Sequence, residues 1–354
     1  PPRLAASSWI LMDATTGAVI VEENADESLP PASLTKMMTD YIAATEIEAG
    51  RISLDDEVPI SERAWRTGGS KMFVKVGDRV SVEDLLRGII IQSGNDACIV
   101  VAEALGGSEE AFAEMMTKKA REIGLTNSTF ANATGWPHPD HRMSARDLAV
   151  LANRLIEEFP ELYRFYSEKT FTYSKIKQGN RNPLLYRDIG ADGLKTGHTQ
   201  EAGYGLTASA VRGDRRIVLV VNGLTSVRQR SQEALRLMGW AFRAFKPVSM
   251  FKSGENVTEA EVWLGNAPKV PLVIDQDLNL TLPRNAIDKM KVTVRMQNPV
   301  AAPVRKGQKL GTLHIQVPGA TDREYPLTAG TDVGQLGLVG RIGAAIKHVL
   351  WGSS

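Results

Sequence analysis

The chain has 354 residues, which at about 150 residues per domain predicts two domains or slightly more. Its 42 Lys and Arg residues nearly balance its 41 Asp and Glu residues, so the formal net charge of +1 lacks the basic surplus with which nucleic-acid-binding proteins displace counterions from phosphate. The apolar runs fall far short of the roughly 20 residues that a transmembrane helix needs, and the single cysteine, Cys98, excludes an intramolecular disulfide and a cysteine-based zinc site.

The first two-thirds of the chain mix strand and helix signals. Apolar runs at 9–12 and 18–21 flank a turn-rich segment and predict a β-hairpin, and a second hairpin is predicted around Gly213 from residues 203–211 and 216–221. Helical periodicity occurs at 34–49, 97–105, 109–123, 145–158 and 232–245, the last ended by Pro247. Strands at both ends of a segment with helices in its middle indicate one sheet covered by helices, which is an α/β or α+β domain over residues 1–245.

Beyond Pro247 the pattern changes to short alternating or β-branched runs separated by Gly, Pro and Asp. These runs predict strands at 257–264, 270–274, 278–282, 291–296 and 311–317. We therefore expect a small all-β second domain over residues 246–335. A tail at 336–354 follows, and its apolar residues between Leu338 and Leu350 gather on one side of a helical projection, with Arg341 and Lys347 on the other side.

Three short motifs are candidates for chemistry. In Pro-Ala-Ser-Leu-Thr-Lys, Ser33 falls in the first turn of a predicted helix and Lys36 one turn later, within reach of the serine hydroxyl. A buried lysine with a lowered pKa can act as a general base toward such a hydroxyl. The competing interpretation is a capping serine followed by a surface lysine, because Ser-x-x-Lys on its own is common.

The other two motifs are equally short. Ser93-Gly94-Asn95 opens the next apolar helix, where a helix N-cap is the competing interpretation. Lys195-Thr196-Gly197-His198 leads into the strand predicted at 203–211, where an ordinary turn is the alternative. We expect Gly197 to let a substrate backbone lie close against the strand edge.

In this order the three motifs resemble those of penicillin-binding proteins and serine β-lactamases. The segments 31–39, 92–98, 144–147, 180–182 and 192–199 are similar to the low-molecular-mass D-alanyl-D-alanine carboxypeptidases of Gram-negative bacteria, and so is the β-rich C-terminal part. The resemblance covers nearly the whole chain. It implies a serine β-lactamase/transpeptidase-like α+β domain followed by a small all-β domain, and a serine carboxypeptidase that removes the terminal D-alanine from peptidoglycan pentapeptides and is acylated by β-lactams.

The resemblance also implies a role for each motif residue. Ser33 corresponds to the acylated nucleophile and Lys36 to its base. Ser93 would relay protons to the leaving amine and Lys195 would hold Ser93 in place, while Asn95 would hydrogen-bond an amide of the peptide substrate.

Substrate recognition is expected at the third motif and at an arginine. Thr196 would contact the terminal carboxylate, and the backbone N–H groups of Ser33 and His198 would form the oxyanion hole. A free carboxylate is best bound by a bidentate arginine, for which Arg230 occupies the family's position and Arg228 is the nearby rival.

Three other functions compete with this one. A class A β-lactamase would need a deacylating glutamate, for which Glu157 and Glu158 are poorly placed candidates, and it typically carries Ser-Asp-Asn where this chain has Ser-Gly-Asn. An endopeptidase of the same superfamily and an inactive peptidoglycan-binding protein are the other two, and failure to react with labelled penicillin would indicate the last.

No cofactor and no metal are expected. The loop Trp-Pro-His-Pro-Asp-His lacks a metal-binding spacing, and Cys98 is expected to pack in a buried helix. By resemblance, the mature protein would lie in the periplasm, attached peripherally to the outer face of the inner membrane through the basic amphipathic tail. Its expected partners are stem peptides ending in D-Ala-D-Ala, β-lactams and anionic lipid, with no nucleic acid.

Overall fold

A computed structural model of the chain describes residues 2–320 and 322–337. The chain divides into two compact units, with the division between Arg243 and Ala244. The helix predicted between 338 and 350 lies outside the described residues. Within the described ranges, no helix is both long enough and apolar enough to cross a membrane.

The first unit is built from eight helices and nine strands among its described residues. The helices are α1 Lys36–Glu48, α2 Glu62–Arg66, α3 Val82–Gln92, α4 Asn95–Gly106, α5 Glu109–Glu122, α6 Ala145–Glu158, α7 Pro160–Tyr163 and α8 Val227–Ala244. The strands are β1 Ser8–Asp13, β2 Ala18–Glu23, β3 Glu57–Pro59, β4 Arg79–Ser81, β5 Thr170–Tyr173, β6 Ile176–Gly179, β7 Ala191–Thr199, β8 Gly203–Arg212 and β9 Arg215–Leu224.

Five of these strands form one antiparallel sheet in the order β2-β1-β9-β8-β7. Side chains alternate between the faces of a strand. In β9, Val218 and Val220 therefore join the core that contains helices α1, α3, α4 and α6, whereas Leu219 and Val221 pack with α8 on the other face. The two predicted hairpins are confirmed as β1–β2 and β8–β9, and the predicted single sheet covered by helices is confirmed as well.

The second unit is a β-rich module with its own core. Its strands are β10 Phe245–Phe251, β11 Asn256–Trp263, β12 Lys269–Val273, β13 Leu278–Pro283, β14 Lys291–Met296, β15 Val300–Ala301, β16 Lys309–Gln316 and β17 Arg323–Ala329. Six of them form a sheet in the order β14-β16-β17-β12-β11-β15, and β10 pairs with β13. Ala260, Leu272, Leu280, Leu313 and Leu327 lie in a core separate from that of the first unit.

The structure differs from the sequence prediction at two places. Helix α3 was not predicted, since its Ile-Ile-Ile run and Gly88 give a weak helical signal. Pro247 does not end a helix by itself, because α8 ends at Ala244 and Pro247 lies inside β10. That strand pairs only with β13 among the described residues, and a strand with a free edge tolerates a residue without an N–H donor.

Candidate active site

Ser33 lies in a short turn at the start of the central helix. A single 3-10 turn, Ala32–Thr35, precedes α1, so the serine sits just outside the α-helix rather than within its first turn. The preceding residue, Ala32, has a φ of +50°, which is sparsely populated for residues with a side chain. Backbone strain of this kind persists only where the surrounding structure holds the chain in place, and it is common at functional sites.

Two glycines hold this turn between them. A Cβ at Gly135, where φ is +84°, would lie 1.8 Å from the Ala32 carbonyl oxygen, and a Cβ at Gly197 would lie 2.9 Å from the Pro31 carbonyl oxygen. On the side where a Cβ would stand, Gly197 therefore faces the serine's own turn. The close approach of a substrate backbone to Gly197 stays a prediction.

Lys36 connects three parts of the site. Its fully buried Nζ donates to Ser33 Oγ at 3.0 Å, to Asn95 Oδ1 at 2.8 Å and to the Thr134 carbonyl at 2.6 Å. The predicted proximity of the lysine to the serine hydroxyl is confirmed. Burial disfavours the charged ammonium and lowers the pKa of Lys36, which moves the amine toward the neutral form that accepts a proton.

A second lysine and serine face this pair. Lys195 Nζ is buried and donates to Ser93 Oγ at 2.9 Å and to the Thr196 carbonyl at 3.2 Å. Burial, reinforced by the charge of Lys36, sets the pKa of Lys195 well below its ordinary value. Two like charges in one buried site raise the free energy of the protein, so the site favours one neutral and one protonated lysine.

The backbone around these residues differs from the sequence expectation. Ser93 is not a helix N-cap: it ends α3 with a φ of +56°, and Gly94 occupies the N-cap position of α4. Lys195 and His198 lie within β7 itself rather than in a turn before a strand. Because β7 pairs only with β8 among the described residues, this motif lines an open edge of the sheet.

Asn95 and its neighbour Asp96 fix the wall opposite β7. Asn95 accepts from Lys36 and donates through Nδ2 to the Gly68 carbonyl at 2.9 Å. The Asp96 carboxylate accepts backbone N–H groups from Met72, Phe73 and Val74 and thus ties their loop to the start of α4. This role was not predicted, although an acidic residue in the first turn of an apolar helix was the available signal.

The two candidate arginines have different surroundings. Arg230 is buried in the first turn of α8, and its Nη1 makes only long hydrogen bonds of 3.5 and 3.4 Å to the carbonyls of Gly197 and Gly205. Its Nε has no hydrogen-bond partner among the described residues. Arg228 is exposed. The structure thus brings Arg230, and not Arg228, to the strand that carries Thr196 and His198.

Aromatic and cationic residues complete this end of the site. The His198 ring stacks on Tyr204, with centroids 3.9 Å apart, and the Arg230 guanidinium lies 5.7 Å from the same tyrosine ring. Arg181, in the segment 180–182 that resembles the family, donates to Ser70 Oγ at 2.8 Å, and its charge lowers the pKa of both lysines.

The remaining candidates play structural roles. Cys98 is buried and free, and burial raises the pKa of its thiol to about 12, so the predicted packing role is confirmed. His141 is buried against Thr35 Oγ1 at 2.8 Å, and burial lowers its pKa to about 4, so the ring is neutral. The described part of the chain contains no group of three or more His, Cys, Asp or Glu side chains arranged to hold a metal ion.

Comparison with known proteins places these observations in context. A family model described as D-alanyl-D-alanine carboxypeptidase matches residues 1–226, and one described as penicillin-binding protein 5, C-terminal domain, matches residues 245–335. DacC of Escherichia coli (strain K12), named a D-alanyl-D-alanine carboxypeptidase, is 42% identical over 349 residues, covering 96% of this chain and 87% of its own sequence.

Solved structures show the same similarity. Penicillin binding protein 5 from Haemophilus influenzae gives a TM-score of 0.85 at 38% identity, covering 95% of this chain and 99% of that chain. Penicillin-binding protein D2 from Listeria monocytogenes, solved in its ampicillin-bound form, gives a TM-score of 0.63 at 29% identity over 68% of this chain and 100% of that chain.

The contact at Gly135 generates a first prediction. Gly135→Ala should lower the free energy of unfolding more than Gly124→Ala, because a Cβ at Gly135 meets a backbone oxygen whereas Gly124, at a similar φ of +87°, has nothing within 4 Å. The control should lose only the about 1–2 kcal/mol of left-handed backbone strain. Guanidinium denaturation of both variants measures the difference in their free energy of unfolding.

The same variants should differ in reactivity. Gly135→Ala displaces the loop whose Thr134 carbonyl holds Lys36, so its reaction with labelled penicillin should slow, while Gly124→Ala should react like the unaltered chain. Equal stability and equal reactivity of the two variants would show that the contact does not position the turn.

Proposed function

The chain belongs to the D-alanyl-D-alanine carboxypeptidase family, as its motifs predict, and from that premise we propose that it removes the terminal D-alanine from peptidoglycan stem peptides through an acyl-enzyme on Ser33. The observation that carries this proposal is the 3.0 Å hydrogen bond between Ser33 Oγ and a fully buried Lys36 Nζ. A nucleophile beside a base of lowered pKa is the arrangement that acyl transfer requires.

Acylation begins with proton transfer from Ser33 to neutral Lys36. The freed Oγ attacks the carbonyl carbon of the penultimate D-alanine, and the carbonyl oxygen becomes an oxyanion. The backbone N–H groups of Ser33 and His198 stabilise this charge. A positioned general base contributes on the order of 10²–10⁴-fold to the rate of such a step.

Collapse of the tetrahedral intermediate breaks the peptide C–N bond, and the departing nitrogen must gain a proton. In this proposal Ser93 delivers it and regains a proton from Lys195 Nζ, from which its hydroxyl accepts a hydrogen bond at 2.9 Å. The protonated D-alanine leaves. Water then attacks the Ser33 ester by the reverse route and releases the shortened stem peptide.

Recognition of the terminal carboxylate fits the other end of β7. Arg230 has a buried guanidinium whose hydrogen bonds are long and whose Nε is unpaired among the described residues, so a carboxylate would satisfy donors that the protein leaves free. Thr196 supplies a hydroxyl on the same strand. This arrangement selects a free C-terminus, which distinguishes a carboxypeptidase from an endopeptidase.

Two of the competing functions find little support in the site. The hydrogen-bond partners of Ser33 and Lys36 in the described structure include no glutamate, the group with which class A β-lactamases deacylate. The candidate Glu158 instead accepts from Tyr41 and Arg154 at the end of α6. A purely binding protein has no use for two buried lysines, each hydrogen-bonded to a serine.

The cellular setting is proposed from the family and the sequence. We infer that the enzyme lies in the periplasm, because that is where its proposed peptidoglycan substrate is found. We propose that residues 338–354 attach it peripherally to the outer face of the inner membrane, since Arg341 and Lys347 lie opposite the apolar side of the predicted helix and suit anionic headgroups.

The central test is covalent labelling. Incubation with penicillin should add one drug mass to the intact protein, and peptide mapping should place it on Ser33, because Ser33 Oγ is hydrogen-bonded at 3.0 Å to Lys36, the proposed base, whereas Ser93 is assigned to proton relay. Ser33→Ala should abolish both the adduct and the release of D-alanine from a D-Ala-D-Ala peptide. The exposed Ser253→Ala serves as the matched control and should retain both. An adduct mapped to another serine would refute the assignment.

A further prediction concerns Arg230. Arg230→Ala should lower kcat/KM for peptides with a free terminal carboxylate roughly 10- to 150-fold, since a hydrogen bond to a charged group is worth about 1.5–3 kcal/mol. Terminally amidated peptides should be hydrolysed at nearly the same slow rate by the variant and the unaltered chain. Arg228→Ala, the exposed neighbour, is the matched control. A carboxylate-specific loss in Arg228→Ala instead would move the assignment to that residue.

A further inference from the structure

A buried carboxyl group lies behind the two lysines. Asp40 follows Lys36 by four residues on α1, so the two side chains share one face of the helix, one turn apart. Both residues are fully buried. Buried carboxylates are rare without a partner, and none of the proposed catalytic steps uses this one.

The surroundings of Asp40 connect it to both catalytic elements. Its Oδ2 accepts the Tyr166 hydroxyl at 2.5 Å, and its Oδ1 has no hydrogen-bond partner among the described residues. Tyr166 in turn packs against β7, because a Cβ at Gly193 would lie 3.2 Å from the tyrosine Cβ. Gly193 precedes Lys195 by two residues. The carboxyl group is thus anchored between the helix that carries Lys36 and the strand that carries Lys195.

The titratable groups that face this position differ in their charge. Tyr166 stays a neutral donor, because burial raises its pKa well above the ordinary value, and burial likewise keeps the Cys98 thiol and the Tyr163 hydroxyl neutral. The basic groups that act on Asp40 are Lys36 and Lys195, and Arg181 and Asp96 act in turn on Lys36.

Asp96 and Arg181 already have partners of their own. The Asp96 carboxylate is held by backbone N–H groups, and Arg181 donates to Ser70. Asp40 is therefore the acid left to balance the charge of the lysine pair.

We propose that Asp40 is a positioning residue whose carboxylate keeps one of the two buried lysines protonated while the other is neutral and serves as the base. This inference rests on the proposed function, because it assigns the charge state in which Ser33 is acylated. With Asp40 ionised, one protonated lysine and one neutral lysine leave the trio without net charge. Without the carboxylate, the protonated lysine would be an uncompensated buried cation.

The proposal predicts the direction in which the pH profile of the acylation rate shifts. Acylation needs one lysine neutral and the other protonated, so its rate should rise through one lysine pKa and fall through the other. A nearby negative charge favours both ammonium forms. Removing that charge should therefore move both limbs of the profile to lower pH, by about one pH unit or more. The burial of Asp40 also raises its own pKa to about 7, so its charge appears as the pH rises through neutrality.

The test is the second-order rate of acylation by labelled penicillin as a function of pH, measured on the full chain. Asp40→Asn keeps the shape of the side chain and removes its charge, and both limbs should shift downward. Asp13→Asn is the matched control: it neutralises another fully buried aspartate, which pairs with Arg215 instead, and its profile should superimpose on that of the unaltered chain.

A second variant covers the case in which Asp40→Asn does not fold. Tyr166→Phe removes the hydroxyl that stabilises the charged carboxylate, so Asp40 should ionise at higher pH and the profile should shift in the same direction by a smaller amount. A merely structural role would scale the rate at every pH and leave both limbs in place. An unshifted profile in a variant that still labels at Ser33 would overturn this inference alone, whereas failure of the unaltered chain to label at Ser33 would overturn the proposed function.

Discussion

The candidate active site depends on the burial of two lysine side chains, those of Lys36 and Lys195. Lysines exposed to water are protonated ammonium ions at neutral pH. Lys36 and Lys195 are almost completely buried, and burial is the largest cause of the lowered pKa of each. Each amine is hydrogen-bonded to a serine hydroxyl, so a lost ammonium proton leaves a base beside a nucleophile. The chemistry of the site follows from where the fold excludes water more than from any unusual residue.

Water is excluded from the two lysines because segments that are far apart in the sequence pack closely around them. The turn of Ser33 is packed between the loop at Gly135 and strand β7 at Gly197, where no other residue would fit without displacing backbone. The same loop supplies the Thr134 carbonyl to Lys36, and Asn95 links that lysine to Gly68. Positive φ angles at Ala32 and Ser93 show that both serine segments are held in sparsely populated conformations.

Local features of the site could be predicted from the sequence, and tertiary ones could not. The Ser33–Lys36 contact follows from helical spacing, and the two hairpins follow from their apolar runs and turns. The pairing of Lys195 with Ser93 joins residues 102 positions apart, so only resemblance to a known family indicated it. The Thr134 carbonyl that accepts from Lys36 is a backbone group, so the residue type at this position does not indicate the contact. The missing Cβ of Gly197 indicates that something lies close but not what, and only the structure identifies the Pro31 carbonyl there. Asp40 is ordinary in the sequence and becomes significant only when its burial is seen.

The protonation of Lys36 tests this account most directly. Uniform ¹³Cε labelling of lysine, with the resonance of Lys36 identified by its absence in Lys36→Arg, allows its titration to be followed by NMR in the unacylated protein. The account predicts that this resonance titrates clearly below the value of about 10.4 that is typical of exposed lysines, apart from the surface lysines of the same spectrum. A Lys36 resonance that titrates together with the surface lysines would contradict it, since no neutral amine would then be available to activate Ser33 near neutral pH.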